Sequence, residues 1–117
     1  MLKYLYLFFI ISFLPPLLIG QTINQTISTT KNQYDQEKSI SKKATLAADL
    51  AWYYSQVNAD SALYYGKKSL QLSESTKDST LIAQSLNDLA TVYLVKGSYK
   101  KSIEYCDKGL IIRKKLD

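Results

Sequence analysis

The hexapeptide DLAWYY at Asp49–Tyr54 returns as DLATVY at Asp88–Tyr93, 39 residues further on. A chain that repeats a local pattern at such an interval is built from copies of one supersecondary unit. Stacked copies bury faces that a single copy leaves open to water. Around the two motifs, apolar residues fall at Leu46, Ala47, Leu50, Ala51 and Tyr54, and again at Leu86, Leu89, Ala90 and Tyr93. This three-and-four spacing marks one face of a helix.

A second helix is predicted after each of these. Ala62, Leu63, Tyr65, Leu70 and Leu72 in the first copy correspond to Ser102, Ile103, Tyr105, Leu110 and Ile112 in the second, and Lys68 corresponds to Lys108. Short turns separate the two helices, Val57-Asn58-Ala59 in one copy and Lys96-Gly97-Ser98 in the other. Asn58 and Gly97 suit a left-handed helix end, and Ser98 suits a cap for the following helix. The polar run SESTKDST, Ser73–Thr80, reads as the connection between copies, with Asp78 or Ser79 starting the next helix. Both prolines, Pro15 and Pro16, lie upstream of this region, so no proline interrupts its helices.

These residues resemble the tetratricopeptide repeat family. Its first helix carries a large residue, Leu-small and Tyr at W-x2-L-G-x2-Y spacing. Ala47, Leu50, Ala51 and Tyr54 occupy that register, as do Leu86, Leu89, Ala90 and Tyr93. In the second helices, Ser102, Cys106 and Gly109 follow the family's small–large–small order better than Ala62, Gly66 and Ser69 do. The period exceeds the family's usual 34 or so, with the excess placed in Ser73–Thr80. The resemblance implies an all-α fold of antiparallel helix–turn–helix repeats, a right-handed α-solenoid of two repeats behind a signal peptide. It also implies a module that binds proteins or peptides. The long-period form is similar to the N-terminal sensor region of bacterial histidine kinases and regulators that carry such repeats.

The opening MLKYLYLFFIISFLPPLLIG has one charge, Lys3, and none follows until Lys31. Its apolar stretch is shorter than the roughly 20 residues of a spanning helix, and it reads as a secretory signal peptide cleaved after Gly20. An exported product, periplasmic or extracellular, is expected, with membrane anchoring by an uncleaved leader as the alternative. Residues 21–43, rich in Gln, Thr, Asn, Ser and Lys, read as a polar arm that is partly disordered. The first repeat is assigned to 44–78 and the second to 79–117, with the array incomplete at its C-terminal end. The isolated mature chain is expected either to self-associate through that open C-terminal face or to melt at low temperature.

The formal net charge of +5 serves solubility, and export makes nucleic acid an improbable partner. Histidine is absent, which removes the commonest general base and metal ligand. The carboxylates show no close pair in an apolar setting, and the glycines form no phosphate loop. Neither catalysis nor a cofactor nor a metal is expected. Cys106, the only cysteine, is assigned by register to the buried side of its helix as a small core residue. Lys100, Glu104 and Lys108 form a solvated outer face.

Trp52, the only tryptophan, falls outside the packing stripe and shares a neighbouring one with Thr45, Ala48 and Ser55. Its counterpart in the second copy comprises Gln84, Asn87, Thr91 and Leu94. In the family this side lines the concave peptide groove, so the resemblance makes Trp52, Ser55, Gln84, Asn87, Thr91 and Leu94 the groove candidates. The competing reading packs Trp52 against the helical end of Lys38–Lys43.

Overall fold

The computed structural model describes residues 16–116, with side chains from Thr22 onward. Five helices make up this region: α1 (Pro16–Gln36), α2 (Ile40–Tyr54), α3 (Ala59–Thr76), α4 (Ser79–Val95) and α5 (Tyr99–Leu116). No strand occurs among the described residues. The expected leader over 1–20 lies outside them, save that 16–20 form the first turns of α1. No described helix is long and apolar enough to cross a membrane.

Two hairpins, α2–α3 and α4–α5, stack side by side, and α4 packs on both α2 and α3. The packing stripe read from the sequence is the buried one. Ala47, Leu50 and Ala51 of α2 and Leu86, Leu89, Ala90 and Tyr93 of α4 are all buried. Small residues let α2 sit centrally, with α1, α3 and α4 close about it. Each hairpin is joined by the same aromatic contact. Tyr54 stacks on Tyr65 at 5.5 Å between ring centroids, and Tyr93 stacks on Tyr105 at 5.4 Å. Offset stacking of this kind adds about 0.5–1.5 kcal/mol beyond the area it buries.

The helix ends have local causes. Ser39 caps α2, its hydroxyl accepting from the Lys42 amide, and the helix therefore starts at Ile40, ahead of Ala44. Asn58 does not take the left-handed turn that the sequence suggests. It is extended and caps α3, its Oδ1 accepting from the Ser61 amide at 3.0 Å. Gly97 is left-handed, at φ 81°. The Ser98 amide donates to Tyr93 O at 2.8 Å and the Gly97 amide to Leu94 O at 3.0 Å, which is the Schellman closure.

Ser73–Thr80 is not a loop. Ser73–Thr76 continue α3, the connection is only Lys77-Asp78, and the longer period comes from a longer second helix. Lys77 ends α3 in the left-handed conformation at φ 58°, and Asp78 caps α4 by accepting from the Thr80 and Leu81 amides. Ser73, the first serine of this polar run, is satisfied inside the core together with Ser69 one turn before it. Ser73 Oγ donates to Ser69 O, Ser69 Oγ donates to Ala44 O, and both hydroxyls meet Ser85 of α4. Buried hydroxyls are tolerated when paired in this way.

The polar arm is also corrected. Residues expected to be in part disordered form α1, in which Ile27, Thr30 and Tyr34 are buried and Ile23 is packed against the core. The few apolar residues of this segment share one helical stripe. Ile27 and Tyr34 join Ala47, Leu50 and Tyr65 in a single cluster, and Tyr34 meets Tyr65 edge-on at 5.7 Å. α1 ends at Gln36, α3 at Thr76 and α5 at Leu116, forty residues apart each time. The stripe Ile23, Ile27, Thr30, Tyr34 matches Ala62, Gly66, Ser69, Ser73 at a shift of 39. Thus α1 stands to α2 as α3 stands to α4, as the second helix of a hairpin.

Candidate functional site

Where α2 and α4 lie side by side, their outward stripes enclose a groove of about 170 Å3. Ala48, Ala51 and Trp52 line it from α2, Ser55 from the C-terminal cap of that helix, and Asp88, Thr91 and Val92 from α4. Alanines at 48 and 51 keep the floor low. Trp52, 56% exposed, stands at its side. Lys38–Lys43 spans the start of α2 itself, so Trp52 does not pack there; the competing reading fails.

The hydroxyls at the groove turn back onto their own helices. Ser55 Oγ donates to Trp52 O at 2.6 Å, and Thr91 Oγ1 donates to Asn87 O at 3.1 Å. Each oxygen keeps lone pairs as acceptors toward the groove. Gln84 Nε2 donates to Asp88 Oδ1 at 2.9 Å, and Gln84 Oε1 accepts from Arg113 Nη2 at 3.3 Å. A chain of polar contacts therefore runs from α5 across α4 to the groove carboxylate.

Of the six candidates, Trp52, Ser55 and Thr91 meet in this groove, and Gln84 holds its carboxylate. Asn87 lines a different groove, between α4 and α5. Leu94 is exposed near the end of α4 and lines neither.

Asp88 is the residue that the candidates omit, and with it Asp49, the matching first letter of the two hexapeptides. The two carboxylates lie on neighbouring helices, α2 and α4, and the charge of Asp88 reaches Asp49. Burial, then the charge of Asp88, pushes the Asp49 carboxyl above its ordinary value. Burial also raises Asp88, opposed by the Gln84 hydrogen bond and the charge of Arg113. The repeated DLA tripeptide carried this signal, because its Asp recurs at the register next to the groove stripe. Cys106 is also corrected: it is exposed, in the α4–α5 groove. Its counterpart Gly66 is buried because α4 covers it, and among the described residues no helix covers α5 in that way.

The outer face behaves as read, with Lys108 Nζ paired to Glu104 Oε1 at 2.8 Å and holding that carboxyl below its ordinary value. Among the described residues no group of three or more His, Cys, Asp or Glu could hold a metal ion.

Stacked antiparallel hairpins, with first helices forming a groove edged by an exposed aromatic, define a tetratricopeptide-type helical repeat, a class that mediates protein–protein interaction. A family model described as the SusR N-terminal TPR domain matches residues 20–117, and the chain belongs to that family. No match to the chain was found among curated proteins or solved structures.

Proposed function

We propose that the protein acts by binding, without catalysis, and holds a peptide segment of a partner protein in the α2–α4 groove. The observation that carries this is Trp52: a large aromatic left exposed beside a groove floored by alanines and edged by acceptors. Interface energy concentrates on such aromatic anchors. Asp88, Ser55 and Thr91 all present acceptor oxygens, and an indole face attracts cations, so a Lys or Arg side chain is the peptide feature that fits best.

As the only tryptophan, Trp52 reports on its own occupancy. Peptides selected from a displayed library against the full-length protein are expected to be enriched in basic residues and to shift its fluorescence. Trp52→Ala should weaken them about thirtyfold, equivalent to ~2 kcal/mol, with helix content unchanged. Undiminished binding by the variant would count against the groove. Loss of helix would instead make Trp52 a structural residue.

We further propose that the chain is exported, with Gln21 as the first residue of the mature form. Intact mass of the secreted form tests this, and a membrane species retaining Met1–Gly20 would favour an anchor. A second reading is that these hairpins are the periplasmic sensor portion of a membrane-bound signalling protein. The matched family is described as an N-terminal domain, which supports that placement.

A further inference from the structure

The two ends of the antiparallel stack differ in what they show to solvent. One end gathers the α2–α3 and α4–α5 turns with the start of α1, because each helix runs opposite to its neighbour. Lys96 Nζ meets Asp60 Oδ1 at 3.0 Å and ties the two turns into one surface. Around this bridge Val57, Leu94, Val95 and Tyr99 each leave more than half of their area exposed. Lys100 and Lys101 follow directly, also exposed. Asp60 is the one carboxylate in 53–61 and 92–101, and Lys96 pairs with it. The turns at the other end mix Asp35, Glu37, Glu74 and Asp78 with their lysines, and Ile40 is the one large apolar residue exposed there.

The start of α1 decides what this end faces. α1 has 21 residues against 15 in α2, and at ~1.5 Å per residue the difference carries its start about 9 Å beyond the end of α2. The apolar leader joins α1 there, at Pro16. On the export reading above, on which this placement rests, such a leader inserts in the bilayer. Whether it is then cut after Gly20 or kept, α1 is delivered with its first turns at the membrane. We infer that the end carrying Val57, Leu94, Val95 and Tyr99 is a contact surface for an anionic bilayer. Aliphatic side chains and a tyrosine suit the interfacial layer, where the ring is buried and the hydroxyl stays wet. Lys100 and Lys101 reach lipid phosphates while their stems lie along the apolar surface. The helices then stand on the membrane, and the flank that bears the α2–α4 groove stays open to a partner.

Two arms test this. In the first, the exported form starting at Gln21, whose binding cannot come from the leader, is floated with vesicles of phosphatidylcholine containing about 30% phosphatidylglycerol. Binding is expected to be roughly tenfold tighter, or more, than to phosphatidylcholine alone. Lys100→Glu with Lys101→Glu should weaken it roughly tenfold or more, each lysine near an anionic surface being worth about fivefold. Val57→Ser with Val95→Ser, at exposed positions, should also weaken it about tenfold, with circular dichroism unchanged. In the second arm, the full-length chain sits in nanodiscs of the same lipids with a nitroxide on the headgroup. The amides of Val57, Val95 and Tyr99 should broaden, those of Thr76 and Lys77 should not, and either double variant should remove the effect. Broadening centred on Arg113, Lys114 and Lys115 would assign the contact to that cationic helix end and overturn the proposal. Undiminished flotation after the two valine substitutions would reduce the contact to charge alone and also overturn it. Amides of this end that move with protein concentration in the absence of lipid would give the surface to a second copy instead. No flotation by a form whose intact mass starts at Gln21 would sink the membrane contact and leave export standing.

Discussion

Leu89→Ala probes the interface between the two hairpins at its tightest point. Leu89 is 1% exposed, and its Cδ1 fills the space that Gly66 leaves open on α3. Three buried carbons are lost, at ~0.8 kcal/mol each or ~2.4 kcal/mol in all. The glycine opposite has no side chain with which to collapse into the gap. A residual cavity of ~40 Å3 adds about 1 kcal/mol at ~24 cal/mol per Å3. The expected loss is thus about 3 kcal/mol, a large part of the ~5–15 kcal/mol that holds an ordinary domain. The control is Leu110→Ala on α5, where the side chain is 50% exposed and the expected change is within ~0.5 kcal/mol. In urea, a slope of ~1.5 kcal/mol per molar converts the first loss into a midpoint shift of about 2 M with the slope unchanged. Equal shifts for the two variants would refute the assignment of covered and open faces. A shift of under ~0.5 M for Leu89→Ala would refute the close packing of α4 on α3.

The two left-handed residues should respond with opposite signs. Lys77→Gly relieves a side chain held at φ 58° and is expected to stabilise by about 1 kcal/mol, while Gly97→Ala at φ 81° should cost about as much; thermal unfolding distinguishes them. Asp88→Asn tests the groove carboxylate. A carboxyl whose folded value is raised binds its proton more tightly in the folded state, so the stability it contributes is present below the unfolded value and lost as pH rises through the folded one. The variant should therefore be more stable than the natural protein at neutral pH, and the gap should close as pH falls through the window above the ordinary value of about 3.9. A gap independent of pH would dismiss the raised carboxyl.

The parts of the fold that the sequence exposed were those where spacing and hydrophobicity agree. Leu50-Ala51 and Leu89-Ala90 mark the buried faces of α2 and α4 directly. α1 was hidden because Ile23, Ile27 and Tyr34 carry its packing amid Thr, Asn and Gln, so composition masked a helical stripe that was there. Ser73–Thr80 misled for a related reason. Serines pack within α3 once Ser85 and backbone carbonyls satisfy them, and nothing local reports those distant partners. Asn58 suits either a left-handed turn or a cap, and the hydrogen bond to Ser61 decides. The register of Cys106 was read correctly, but burial also needs a covering helix. In the groove, Trp52 was legible as an outlier from its stripe. Asp88 was not, because its importance depends on the approach of α4 to α2.

The central claim, that the α2–α4 groove is the recognition surface, is tested most directly by nuclear magnetic resonance on the labelled protein titrated with a selected basic peptide. The indole Nε1–H of Trp52 gives one isolated signal, since the chain has one tryptophan. Binding in the groove predicts that this signal moves, together with the side-chain amide of Gln84 and the backbone amides of Ser55 and Thr91. All should saturate with one dissociation constant, while the amides of Lys100, Glu104 and Lys108 on the outer face stay fixed. Shifts concentrated on that outer face, with the indole signal unmoved at saturation, would contradict the account.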